Sequence, residues 1–209
     1  VDHRRTDLAR IGQLAKSPGI RLLMSDSTNA EEAGYSPSET SVGSVLQGLF
    51  AAQRDRRIVT ASFASHLHRI QQIATAAIAE GRVIATLGLS MKKNVRLGRE
   101  LKVLDIPESW IIDMDDIDKY EPGKVCIIST GSQGEPMSAL GLMARGENKW
   151  LKLGEHDTVV LSSHAIPGNE SNVNAVIDGL LRMGAEVVHS GILDVHATGH
   201  AQADEIKTY

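Results

Sequence analysis

Aromatic side chains are scarce in this chain. Phe, Trp and Tyr make up 3% of its 209 residues, too few for a nucleic-acid module that works by stacking bases on rows of rings. There is one cysteine, Cys126, which excludes a disulfide framework and a cysteine metal cluster and fits a reducing, cytoplasmic setting. No apolar run reaches the roughly 18 residues that span a bilayer, and no signal segment of charged, apolar and small-residue regions opens the chain, so no membrane partner is expected. Positive charge is not in surplus either. Twenty-two Lys and Arg stand against 26 Asp and Glu, for a net charge of −4, which excludes nucleic-acid binding by bulk positive charge but leaves locally placed donors open. No Gly-x-Gly-x-x-Gly fingerprint, internal repeat or low-complexity tract is present, which argues against a dinucleotide-dependent dehydrogenase. What remains, 42% hydrophobic and 23% charged residues, is an ordinary globular balance, long enough for one large domain or one and a half smaller ones.

The apolar pattern alternates between two periods. Short Val/Ile/Leu runs at residues 20–25 (IRLLMS), 57–61 (RIVTA), 82–87 (RVIATL), 124–129 (KVCIIS), 158–162 (TVVLS) and 186–189 (EVVH) show little polar alternation, as expected of parallel strands covered on both faces. Between them, residues 7–16, 39–53, 67–80 and 173–183 carry apolar residues at three- and four-residue spacing, the period of a helix with one buried side. Ser65, Ser90 and Asn169 precede helical patterns, and Gly81 and Gly184 follow them. Strand–helix alternation of this kind predicts an α/β fold: a doubly wound, mostly parallel sheet with helices on both faces.

The polar residues gather just after the strands. Ser25-Asp26-Ser27-Thr28-Asn29, Ser62-Phe63-Ala64-Ser65, Gly88-Leu89-Ser90, Ser129-Thr130-Gly131-Ser132-Gln133-Gly134-Glu135 and Ser162-Ser163-His164-Ala165-Ile166-Pro167-Gly168-Asn169-Glu170 would all emerge at the carboxyl edge of a parallel sheet, where open α/β proteins take ligands. Small hydroxyl and glycine residues let backbone N–H groups approach an anion, and helix N-termini add their dipoles, so the pattern predicts a phosphate-binding groove. Short Ser/Gly turns also serve as plain connectors. The run Asp113–Asp118 lacks the Asp-x-Asp-x-Asp-Gly order of a cation loop and reads as a solvated helix start. His66 and His68 are two apart, so on a helix they point to different faces and share no ion, and a surface- or groove-facing His68 with Arg69 is expected. His196 and His200 are four apart, but Asp194-Val195 and Thr198-Gly199 around them favour a strand ending in a turn that displays His200. Asp26, at a strand end, either caps its loop or holds a cation.

Asp26-Ser27-Thr28-Asn29-Ala30-Glu31, Ser62-Phe63-Ala64-Ser65, Ser129-Thr130-Gly131-Ser132-Gln133-Gly134-Glu135-Pro136, Ile166-Pro167-Gly168-Asn169-Glu170 and Thr198-Gly199-His200-Ala201 occur together, in this order, over nearly the whole chain. In that combination the sequence resembles bacterial ribonuclease J. The resemblance implies a metallo-β-lactamase-fold nuclease carrying a β-CASP insert, with residues 1–26 ending the first lactamase-like segment and 27–209 forming the β-CASP domain. It implies RNA as partner, hydrolysed 5′-to-3′ with endonuclease activity besides, a preference for a 5′-monophosphate, and a place in mRNA decay and rRNA processing by a homo-oligomeric full-length enzyme. It points to Asp26 as the carboxylate bridging two metal ions, usually zinc, to His200 as the general acid, and to Glu39 as the acidic residue that orients it. Ser62, Ser65, His68, Arg69, Ser129, Gly131, Ser132, Gln133, Gly134, Ser162, Ser163, Gly168, Asn169 and Thr198 become the expected RNA- and phosphate-binding set.

The family's His-x-His-x-Asp-His and Pro-Val-His-Gly metal motifs are missing from these residues. The expectation is therefore a β-CASP domain without most metal ligands, inactive alone and without stoichiometric zinc, since a zinc site needs three or four protein ligands. Thr198 stands where Ser is usual, which keeps the hydroxyl, and His164 where Ser or Pro is usual. The chemistry is coherent: phosphodiester hydrolysis needs a hydroxide, charge neutralisation and a proton for the leaving oxygen, which metal ions and an imidazole supply. The alternative is a non-catalytic nucleotide- or protein-binding α/β module, which has no need of Asp26, Glu39 and His200 together. A sugar-nucleotide or phosphosugar enzyme also uses Ser/Gly loops at strand ends.

Overall fold

The computed structural model describes residues 7–208 and divides into two compact units. One is formed by residues 7–39 with 197–208, the other by Thr40–His196. The division expected at residue 26 falls inside the first unit, and residues 1–6 and 209 of the expected domains lie outside the described residues.

The Thr40–His196 unit is built on one sheet. Its strands are β1 (Arg57–Ala61), β2 (Val83–Leu87), β3 (Ile111–Ile112), β4 (Val125–Ser129), β5 (Asp157–Leu161) and β6 (Glu186–His189). They lie in the order β3-β2-β4-β1-β5-β6, and every pairing is parallel. All residues of β4 and β5 are buried, as two-sided cover requires, and this is why these runs are apolar without alternation. Edge strands β3 and β6 have two and four residues, the short edges that leave little backbone open for pairing. Since successive side chains face opposite ways, Val59, Ala61, Ala85, Ile127, Val159 and Val187 share one face. They form a core cluster with Leu140 and Met143 of α5 (Ala139–Ala144) and Val176 and Leu180 of α6 (Glu170–Arg182). On β2 and β4 packs α3 (Leu67–Ala79), with α4 (Leu89–Glu100) beside it. Between α5 and α6 the packing is so close that a Cβ on Gly179 would lie 2.5 Å from the Ala144 carbonyl oxygen.

Two fully buried arginines brace opposite edges of this sheet. At the amino edge, Arg82 donates to the carbonyls of Arg56 at 2.8 Å and of Gln53, with the Phe50 ring below its guanidinium. Next to it lies Cys126, fully buried in β4, whose thiol burial pushes up to about 12. Arg69 works at the carboxyl edge.

The smaller unit contains α1 (Leu8–Lys16), capped by Asp7, whose carboxylate accepts the Arg10 N–H at 2.9 Å, and the short α7 (Ala203–Ile206). Helix α2 (Glu39–Ala52) begins with its last residue, Glu39. The strand expected at residues 20–25 is not formed: Leu22, Leu23 and Met24 are 75%, 63% and 85% exposed, so the run has a strand's composition without a sheet to join. Likewise residues 194–198 form no strand, and Gly199 and His200 lie in a bend.

Candidate functional site

The strand order creates a divergence. From β1 the chain crosses to β2 on one side, and from β5 it proceeds to β6 on the other, so the carboxyl edge between them is a point where connections part, the usual ligand position in open α/β sheets. The expected hydroxyl-rich loops after β1, β2, β4 and β5 meet here, while residues 25–29, with no strand before them, belong to the smaller unit. Gln133, 4% exposed, stitches two of them: its amide donates to the His164 carbonyl at 2.7 Å and to Ser163 Oγ at 3.3 Å, while its Oε1 accepts the Ile166 N–H at 2.7 Å. Backbone N–H of Gln133 in turn donates to Glu135 Oε2 at 3.1 Å.

The serine hydroxyls are turned to a different use from the one expected. Ser129 Oγ donates to the Thr60 carbonyl at 3.1 Å, Ser162 Oγ to that of Val195 at 2.6 Å and Ser163 Oγ to that of Ser132 at 3.2 Å. A buried hydroxyl takes the nearest carbonyl because leaving it unpaired is costly, so these protons hold the loops in place. Ser132 is itself buried at 3% exposure. Gly131 and Gly134 both have positive φ (108° and 72°), and their missing side chains make room for the protein itself: a Cβ on Gly134 would lie 2.4 Å from the Asn172 carbonyl carbon, and one on Gly131 2.8 Å from Leu140 Cβ. Gly168 is the contrast, with φ 94° and open space around it. Its N–H is held by Glu170 Oε2 at 2.8 Å, and Asn169 caps α6 without a side-chain bond. The polar side chains left accessible at this edge are those of exposed Ser65 and His164 and half-buried His68, whereas the Ser62 hydroxyl is buried and has no hydrogen-bond partner among the described residues.

Arg69 corrects the expectation of a surface- or groove-facing side chain. It is fully buried, and its Nη1 donates to Ser162 Oγ at 2.5 Å, to the Ser162 carbonyl at 3.2 Å and to that of Val195 at 2.7 Å. It joins the loop after β5 to the segment after β6. Beside it, the His196 ring meets that of His164 edge-on at 4.8 Å. Burial, with the positive charge of Arg69 and the neighbouring His164 and His66, pushes His196 down to about 4, so it is neutral at physiological pH.

The smaller unit brings together residues far apart in sequence. His200 Nδ1 is hydrogen-bonded to Asp26 Oδ2. The other carboxylate oxygen accepts Thr28 N at 2.9 Å and Thr28 Oγ1 at 2.7 Å. Chiefly through the His200 contact, and then the Thr28 bonds, Asp26 is held well below the usual carboxylate range. With Nδ1 engaged, Nε2 is the remaining ring nitrogen of His200, and about half of the side chain (49%) is exposed. Thr198 lies in the same unit and is engaged with Asn29 and His200. Glu39 begins α2. Sequence reasoning passed over Gln133 as a cross-stitch, and over Thr28, Asn29, Ser36 and Glu205. A trace of the last was visible as Gln202 three residues before Glu205, which the structure shows to be a capping box on α7.

A metal fits this arrangement only in part. Asp26 is a suitable hard oxygen donor, but among the described residues no three His, Cys, Asp or Glu side chains come together as a metal site, fewer than the three or four that zinc requires. The described residues do not bring such a ligand set together.

A parallel α/β domain with a glycine- and hydroxyl-rich carboxyl edge, and beside it in sequence a carboxylate–imidazole pair, defines a class of ligand-binding α/β proteins. Comparison with known families resolves it. The family described as "Ribonuclease J, beta-CASP domain" matches residues 55–180. Over 205 residues the chain is 45% identical to Ribonuclease J of Mycobacterium tuberculosis, covering 98% of this chain and 36% of the relative. It is 38% identical over 207 residues to Ribonuclease J of Helicobacter pylori (99% and 30%) and 40% identical over 200 residues to Ribonuclease J2 of Bacillus subtilis (94% and 36%). The chain belongs to the ribonuclease J family and contains its β-CASP domain. It spans about a third of the length of these relatives. Among the described residues no helix is long and apolar enough to cross a membrane.

Proposed function

We propose that this chain is the β-CASP part of a metal-dependent ribonuclease that hydrolyses RNA phosphodiesters in the cytoplasm, as a 5′-to-3′ exonuclease with endonuclease activity, in mRNA decay and rRNA processing. The observation that carries the reading is the hydrogen bond between Asp26 and His200, 174 residues apart in sequence, on the two motifs that point to hydrolysis. In the proposed reaction hydroxide attacks phosphorus, the bond from phosphorus to the leaving oxygen breaks, and that oxygen takes a proton from His200 Nε2. Asp26 holds the ring by Nδ1, as an orienting carboxylate does for a working histidine. In this reading the sheet edge contacts RNA through the side chains of Ser65, His68 and His164, on loops held in place by Gln133, Ser162 and Ser163, and prefers a 5′-monophosphate end. Zinc, in this reading, would take Asp26 as one ligand and would supply the hydroxide, its other ligands lying in the rest of the full-length enzyme.

The test is degradation of matched oligoribonucleotides by the full-length enzyme, with and without chelator. Metal-dependent digestion that is faster on a 5′-monophosphate than on a 5′-hydroxyl is the expected result. Binding of both RNAs with no cleavage under any metal would replace the reading by a non-catalytic nucleotide-binding module.

A further inference from the structure

His200 sits on an exposed turn, and an exposed turn needs an anchor if its ring is to keep one position. The main chain of His200 has such an anchor in two side chains. Asn29 uses both hydrogens of its carboxamide: Nδ2 donates to Thr198 Oγ1 at 3.0 Å and reaches the His200 carbonyl at 3.4 Å. Thr198 Oγ1 also accepts the His200 N–H at 3.2 Å. Its two lone pairs are thereby filled, and both polar atoms of the His200 backbone are held. Asn29 lies three residues after Asp26, and a backbone bridge joins it to Gln202. The same short segment therefore carries the carboxylate that holds the His200 ring and the amide that holds its backbone.

Ser36 Oγ is also close to the His200 carbonyl, at 2.8 Å, but lies 2.7 Å from Glu205 Oε2. A hydroxyl has one proton to give, and the carboxylate is the stronger acceptor. Ser36 therefore shares one proton between two acceptors, whereas the Asn29 amide has a hydrogen for Thr198 and another for the His200 carbonyl.

We propose that Asn29 and Thr198 are positioning residues for His200, with Thr198 holding the histidine backbone through its acceptor lone pairs. The proposal rests on the reading of His200 as the proton donor. Proton transfer depends steeply on placement, since a displacement of about 1 Å can cost about a hundredfold in rate. Thr198→Val keeps the shape and removes the acceptor, while Thr198→Ser keeps it.

The test uses the full-length, metal-loaded ribonuclease and a 5′-monophosphorylated RNA. Thr198→Val and Asn29→Ala are expected to lower kcat about tenfold or more, with KM and the Kd for an uncleavable RNA changed less than about twofold. Thr198→Ser should restore kcat. Hydrogen exchange of the peptide containing His200 should quicken in Thr198→Val and not in Thr198→Ser. A weakened Kd with kcat retained would return Thr198 to phosphate binding and overturn the proposal. So would unchanged kcat in both variants alongside a His200→Ala enzyme that is inactive. If His200→Ala itself keeps full kcat, the proton-donor reading fails first, and a fast-exchanging Thr198→Val turn would then mark the anchor as structural only. Should Asn29→Ala not fold, the Thr198→Val and Thr198→Ser pair decides alone.

Discussion

At the carboxyl edge of the sheet, Ser129, Ser162, Ser163 and Gln133 are all less than 7% exposed and spend their hydrogen bonds on neighbouring loops. In the smaller unit, Asp26 and His200 meet with side chains 53% and 49% exposed. The first region is a platform whose polar groups are committed to its own stability. The second keeps reactive atoms accessible and relies on a few local bonds. Substitutions should therefore separate cleanly, with stability lost from the platform and turnover lost from the exposed pair.

The largest effect belongs to the exposed pair. In the full-length enzyme His200→Ala is expected to lower kcat by about 10²–10⁴-fold, the usual worth of a general acid, with RNA Kd and the urea midpoint nearly unchanged. An equal loss of binding would merge the two regions into one. For the platform, Arg69→Met removes the buried donor that serves the Ser162 and Val195 carbonyls and should cost about 3 kcal/mol in urea unfolding, whereas Asp26→Asn should leave the midpoint in place. Gly134→Ala pushes a Cβ into the Asn172 backbone and should cost about 2 kcal/mol; a neutral result would show that the loop has room to shift. A smaller effect follows pH. His196 has its folded pKa at about 4, below the ordinary 6.5, so the unfolded chain takes up its proton first. Its contribution is full above about pH 6.5 and is lost as pH falls toward 4. Replacing His196 by Gln should flatten that part of a stability–pH curve.

Much of the platform was legible in the sequence. The runs at 57–61 and 186–189 are β1 and β6 to the residue, and those at 82–87, 124–129 and 158–162 match β2, β4 and β5 within one residue at each end, because a strand buried on both faces has to be apolar throughout. The same rule failed at 20–25, where composition reports what a segment is fit to join and not whether a sheet is there. Strand β3, two residues long, and α5, six residues long, are too short to carry a period. Within the site, loop composition located the carboxyl edge, but the direction of each hydroxyl depends on which carbonyl lies nearest in space, and no local pattern encodes that. Arg69 is the sharpest case: a charged residue reads as surface until the carbonyls of Ser162 and Val195 are found around it. The Asp26–His200 meeting had no spacing signal, and the resemblance of motifs paired His200 with Glu39 and gave Asp26 to metal ions.

The burial of Cys126 has a practical side. A thiol that is fully covered and holds its proton up to about 12 is a poor nucleophile toward alkylating reagents. A cysteine introduced at exposed Ser65 would then be the one quickly labelled sulfur among the described residues, so a fluorophore could be attached to the carboxyl rim of the sheet with the native cysteine left in place.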